Sequence, residues 1–235
     1  MPLLFFSLQT DIPGTEITEV MSQPQSTTAL EFLMKGGIFI IPILILLFYT
    51  IYVIIERFLF IRKSTKYNAS LINDIRNELS SGKIESARTI CFKDNSATGN
   101  VLASGIDGIG RPVSEIESRM EKATNIEIGE MEKKMGHLGL IAGIAPTLGF
   151  IGTISGVIKI FHDISVSEDI SIGNISGGLY EKMISSGAGL VVGVVAYSAY
   201  HLFNGRIDSF VLNIQKQVLE FLNIINQPSY ASKKE

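Results

Sequence analysis

The chain has no tryptophan, one cysteine and three histidines in 235 residues, and only 18% of its residues are charged. Each shortage excludes something. A lone cysteine, Cys91, cannot form an intrachain disulfide framework and says nothing for a metal site. His137, His162 and His201 are scattered, without metal-ligand or catalytic-triad spacing. No Walker-type phosphate loop is present. The chain therefore reads as a non-enzyme with no metal, no cofactor and no nucleic-acid partner. Charge well below the ~25% usual for soluble domains, with a mean hydropathy of +0.31, points to a lipid bilayer as the surroundings.

What the chain does have is three long uncharged runs: Gly36 to Ile55, Leu138 to Ile158, and Met183 to Phe203, the last interrupted only by His201. At about 1.5 Å rise per residue, each spans the roughly 30 Å hydrocarbon core. The fold class expected is an all-α integral membrane protein with three transmembrane helices. The second and third runs are dotted with small residues. Gly139-xxx-Gly143, Gly152-xxx-Gly156 and Gly189-xxx-Gly193, with Gly149 between them, are spacings that let helix backbones approach closely in lipid. Pro42 sits near the start of the first run, where a missing N–H costs least, and Pro146 is a kink point in the second.

Between the first and second runs lies a polar segment. Lys66–Ser80, Lys83–Phe92 and Val101–Ile109 read as short helices broken at Ser81-Gly82 and Asp94-Asn95-Ser96. Ser114, followed by Glu115 and Glu117, is a candidate N-cap for a helix that continues without proline into the second run, as one rod of about 45 residues. After His201, apolar residues at Ile207, Phe210, Val211, Ile214, Val218, Phe221 and Leu222 keep helical spacing, so the third helix runs on as an amphipathic extension able to pack on that rod.

Charge sets an orientation. Of the 20 Lys and Arg, 13 lie in residues 57–134 and four from Arg206 onward. The positive-inside rule places both of those regions in the cytoplasm and the N-terminus outside. The expected segments are 1–35 outside, 36–56 as the first span, 57–134 as a cytoplasmic helical region, 135–161 as the second span, 162–174 as a short outer connector, 175–203 as the third span and 204–235 as a cytoplasmic helix and tail.

Glu181 is the residue to explain. If the third helix begins near Ile170 or Ile175, this acid lies at membrane depth. If it begins at Met183, Glu181 and Lys182 form a pair at the outer surface. A charge within the bilayer faces a bundle interior or a water path and serves ion movement. Thr153 and Ser186 lie at similar depth on antiparallel spans, and Ser185 is four residues from Glu181 on nearly the same face.

The run Ala145-Pro146-Thr147-Leu148-Gly149-Phe150-Ile151-Gly152-Thr153-Ile154-Ser155-Gly156 is similar to the A-P-x-x-G-L-x-G-T-V-x-G run of the MotA/TolQ/ExbB proton-channel family. Ile175 to Tyr200 resembles that family's last span, and Gly36-Gly37, Pro42 and Glu56-Arg57-Phe58 fit its first. The chain most resembles the ExbB and TolQ branch. Lys182 stands where the family has a small residue, and Val195 where many members have proline. The resemblance implies an ion path through Glu181, Thr153 and Ser186, with Gly149, Gly152, Gly156, Gly189 and Gly193 in helix packing. It also implies a homo-oligomer, a pentamer, around a single-span partner of the ExbD/TolR type, in the bacterial inner membrane. There the proton motive force would drive work through a TonB- or TolA-type protein. An ExbB role, a TolQ role and a non-conducting scaffold stay open, as does sodium in place of the proton.

Overall fold

The computed structural model describes residues 37–66, 68, 70–167 and 172–226. Expectations for residues 1–35, for the middle of the connector and for the tail beyond Asn226 fall outside these, as does the side chain of Glu181. The described residues form seven helices and no strand: α1 (Ile40–Ser64), α2 (Leu71–Ser80), α3 (Ile84–Asp94), α4 (Ala97–Ile106), α5 (Val113–Glu132), α6 (Met135–Ser167) and α7 (Ile172–Ile225). Three stretches are long and apolar enough to cross a membrane: α1, the run containing α6, and α7. The chain is an all-α membrane protein.

α1 buries a stripe, Ile40, Ile43, Thr50, Val53, Arg57 and Ile61, spaced at three, four and seven residues. Its other faces leave Ile41, Ile45, Phe48 and Ile55 exposed. An apolar surface outside a narrow buried stripe suits a helix whose solvent is lipid. α6 and α7 form an antiparallel pair, with α1 against both. At about 1.5 Å per residue α7 extends some 80 Å, more than twice the hydrocarbon thickness. Beyond the apolar run it buries Ile207, Phe210, Ile214, Phe221 and Ile224 against the polar-segment helices, α5 among them. The expected amphipathic extension is present.

α2 to α5 build a second core around Ile75, Leu79, Cys91, Leu102, Ile106 and Met120. Its tightest point is Gly105 of α4, where an added Cβ would stand 2.7 Å from both Met120 Sδ and a ring carbon of Phe221. That single glycine lets α4 seat against α5 and the distal half of α7 at once.

Two local expectations are corrected. The rod is not continuous: α5 ends at Glu132 and α6 begins at Met135, with Lys134 at φ 65° between them. Ser114 is not the cap; Pro112 holds that position, and α5 starts at Val113 with Ser114 inside its first turn. Proline is pre-set for a helix start, so it displaces the serine by two residues. Pro146 is accommodated within α6 without ending it.

Candidate ion-path site between two antiparallel helices

Small residues fix how closely α6 and α7 cross. A Cβ at Gly189 would stand 2.5 Å from the carbonyl oxygen of Ala145 and 3.2 Å from Gly149 Cα. A Cβ at Gly149 would meet Ser186 Cα at 2.9 Å, and one at Gly193 the Pro146 ring at 2.5 Å. A Cβ at Gly152 would meet Ser185 Oγ at 3.1 Å and the side chain of Phe39 at 3.2 Å. Gly156 lies under Lys182, whose stem carbons come within 2.0 to 2.5 Å of where a Cβ would be. All five glycines named from the sequence thus face α7 or α6 within one chain. Gly139 and Gly143 do not share this role. The nearest group to a Cβ on Gly139 would be the Tyr200 ring at 3.7 Å, and Gly143 has open space around it.

The crossing brings a small polar group together. Thr153 Oγ1 is within hydrogen-bond distance of two carbonyls, Gly149 O at 3.2 Å on its own helix and Lys182 O at 3.3 Å on α7. A hydroxyl has one proton, so it serves one of these at a time and keeps its lone pairs free to accept. Ser185 Oγ donates to the same Lys182 carbonyl at 2.9 Å and is fully buried. Two hydroxyls from two helices therefore converge on one carbonyl, one residue past Glu181. Ser186, the hydroxyl picked from the sequence, is half-buried, with its Cα against Gly149. Ser185 is the serine that shares a partner with Thr153. Its signal in the sequence was its place four residues after Glu181, on the face turned to the glycines.

The backbone places Glu181 nine residues into α7. The helix does not start at Met183, so the acid is part of the helix. The Thr153 to Lys182 contact sets Glu181 at the level of residues 153–157 of α6. Lys182 lays its aliphatic stem across Gly156 at that same level. Among the described residues no group of three or more His, Cys, Asp or Glu is placed to hold a metal ion.

A family model described as the MotA/TolQ/ExbB proton channel family matches residues 93–216. That match takes in α4 to α6 and most of α7. Over 190 residues the chain is 27% identical to a putative biopolymer transport protein ExbB homolog of Methanothermobacter thermautotrophicus, covering 80% of this chain and 67% of that one. Over 111 residues it is 24% identical to the Tol-Pal system protein TolQ of Haemophilus influenzae, covering 47% and 49% of the two chains. Over 80 residues it is 28% identical to the biopolymer transport protein ExbB of Salmonella typhimurium, covering 34% and 33%.

Proposed function

From the premise that the chain belongs to the MotA/TolQ/ExbB proton channel family, we propose that it is the multi-span subunit of an ion-driven motor. In this reading five copies surround a single-span partner of the ExbD/TolR type. Protons pass between the partner's carboxylate and the group at Glu181, Thr153 and Ser185, with Ser186 beside them. The complex sits in the cytoplasmic (inner) membrane, N-terminus outside and C-terminus inside. It passes the resulting work to a TonB-type protein serving outer-membrane transport, or in a TolQ-type role to a TolA-type protein.

The observation that supports it is the convergence of the Thr153 and Ser185 hydroxyls on the Lys182 carbonyl, beside the only acid between Asp169 and Asp208. A hydroxyl both donates and accepts, so it can take a proton on one lone pair while releasing its own. The glycines hold the two helices close enough for one hydroxyl to bridge them.

The test is proton uptake by vesicles containing the chain and its single-span partner. Glu181→Ala is expected to stop partner-dependent uptake while leaving the size of the complex unchanged. Thr153→Val is expected to slow it. Full uptake by Glu181→Ala overturns the ion-path reading. A wild type that assembles with the partner and passes no protons supports the scaffold reading instead.

A further inference from the structure

The run from Val113 to Ser167 is helical on both sides of a single break. In an unbroken α-helix the N–H of residue 134 donates to the carbonyl of residue 130. Here Lys133 is extended, at φ −51° and ψ 133°, and Lys134 turns into the left-handed region at φ 65°. Lysine is not among the residues that enter that region readily. No proline lies between Pro112 and Pro146. The local sequence gives no reason to break there.

The reason lies on α1. Arg57 Nη1 donates to the Glu130 carbonyl at 2.9 Å, the acceptor that the Lys134 N–H would use in a continuous helix. The Arg57 side chain is only 5% exposed, and its Nε and Nη2 hold the Glu56 carboxylate. Glu56 also reaches Lys134 Nζ at 3.3 Å, and that ammonium lies 5.6 Å from the centre of the Tyr52 ring. One turn earlier on α1, Tyr49 Oη meets His137 Nδ1, in the first turn of α6, at 2.6 Å. The side chains of residues 49, 52, 56 and 57 thus grip both sides of the break. Arg57 holds the end of α5, Glu56 holds Lys134 in the break, and Tyr49 holds the start of α6.

We propose that the α5–α6 junction is a two-state joint, held broken by the contacts that Tyr49, Glu56 and Arg57 of α1 make around it. In the second state Lys134 returns to right-handed helical angles and its N–H takes the Glu130 oxygen. α5 and α6 then merge into one helix. Arg57 keeps its paired contact with Glu56, so no charge is stranded. The exchange trades a charge-assisted hydrogen bond and the Glu56–Lys134 pair for a backbone hydrogen bond and relief of the left-handed residue. The first two favour the broken state and the last two the merged helix, so removing either α1 contact tips the joint toward closure. Because α7 runs unbroken past both α5 and α6, closing the joint shifts α5 along the distal part of α7. This inference stands whether or not the site between α6 and α7 conducts.

The experiment is amide hydrogen exchange at Lys134, resolved to the single residue and corrected for intrinsic rates, on the purified full chain in lipid discs. Arg57→Ala is expected to slow exchange at Lys134 by about tenfold or more as the helix closes. Adding Lys134→Gly, which takes the left-handed region freely, is expected to reopen the break and restore fast exchange. Lys134→Ala leaves Arg57 and the buried stripe of α1 in place and drops the Glu56 and Tyr52 contacts. It too is expected to slow exchange at position 134. Exchange that is unchanged or faster in Lys134→Ala, or in an Arg57→Ala chain that still folds, shows a helix end capped by arginine and no joint, and overturns the proposal.

Discussion

At the scale of single residues, the same substitution carries opposite costs along one helix pair. Alanine at Gly189 drives a Cβ to 2.5 Å from a backbone carbonyl, and backbone has nowhere to go without parting the helices. Alanine at Gly156 meets side chain and no backbone, the Lys182 stem carbons at 2.0 to 2.5 Å. Gly189→Ala is therefore expected to destabilise by about 2 kcal/mol or more, in the range of overpacked cores, and Gly156→Ala by less, because a side chain can shift where backbone cannot. Thermal unfolding of the two variants, each against wild type, checks the order. Equal losses would mean that the crossing is looser than its geometry. Cys91 gives a second residue-scale case. Burial, aided by the nearby Asp94 and Asp107 carboxylates, pushes its thiol up to about 12 from an ordinary value near 9. Above pH 9 the unfolded chain releases a proton that the folded chain retains, so stability falls as pH rises from 9 toward 12. Cys91→Ala is expected to flatten that slope, read as a smaller drop in unfolding midpoint between pH 8 and pH 10.5.

At the scale of elements, what was legible in the sequence is what is written locally. Uncharged runs of about 20 residues announce α1, α6 and α7, because each must satisfy its own backbone in lipid. The apolar spacing from Ile207 to Phe221 announces the extension of α7 beyond its apolar run, because one face of it is buried. The Ser81-Gly82 and Asp94-Asn95 breaks are equally local; Gly82 and Asn95 both take positive φ. What was not legible is whatever one element imposes on another. Beside the break at Lys133 and Lys134, the Glu130 carbonyl accepts from Arg57 of α1, 73 residues earlier in the chain. The sequence favoured Ser186 over Ser185 because it stands where the resembled family has its threonine. Which serine meets Thr153 depends on the rotation of α7 against α6, and the glycines decide that. Gly139 and Gly143 fit the small-residue spacing as well as Gly189 and Gly193 do, yet a Cβ on Gly139 would only touch the Tyr200 ring at 3.7 Å and one on Gly143 would meet nothing within 4 Å. Spacing shows which faces can come close, and only packing shows which do. Gly143→Ala is accordingly expected to leave the unfolding midpoint of the isolated chain within about 0.5 kcal/mol of wild type, as for a surface change. A large loss in the isolated chain would place a helix against that face.

At the scale of the whole molecule, the long helices carry most of the exposed apolar surface, and the polar-segment helices carry most of the cations. Phe150, Val191, Val194 and Leu202 are each more than half exposed along α6 and α7, which suits surroundings of lipid or of further helices. The polar segment holds 13 of the 20 Lys and Arg. On the positive-inside argument that segment and the end of α7 face the cytoplasm, and the far ends of α6 and α7 face outward. The single native thiol makes this simple to test. Cys91 is fully buried and its thiol is held far from the thiolate form, so it is a slow target for a maleimide at neutral pH. A cysteine introduced on the surface then reports almost alone. Lys216 is exposed on the distal part of α7, and Ser165 is exposed near the opposite end of α6. A membrane-impermeant maleimide added to intact cells is expected to label Ser165→Cys and spare Lys216→Cys. In inside-out vesicles the pattern reverses. The unsubstituted chain, labelled in parallel, sets the background from Cys91 and takes up full label only after denaturation. Labelling of Lys216→Cys from outside would turn the molecule over in the membrane. It would put the basic segment on the side that the charge rule disfavours.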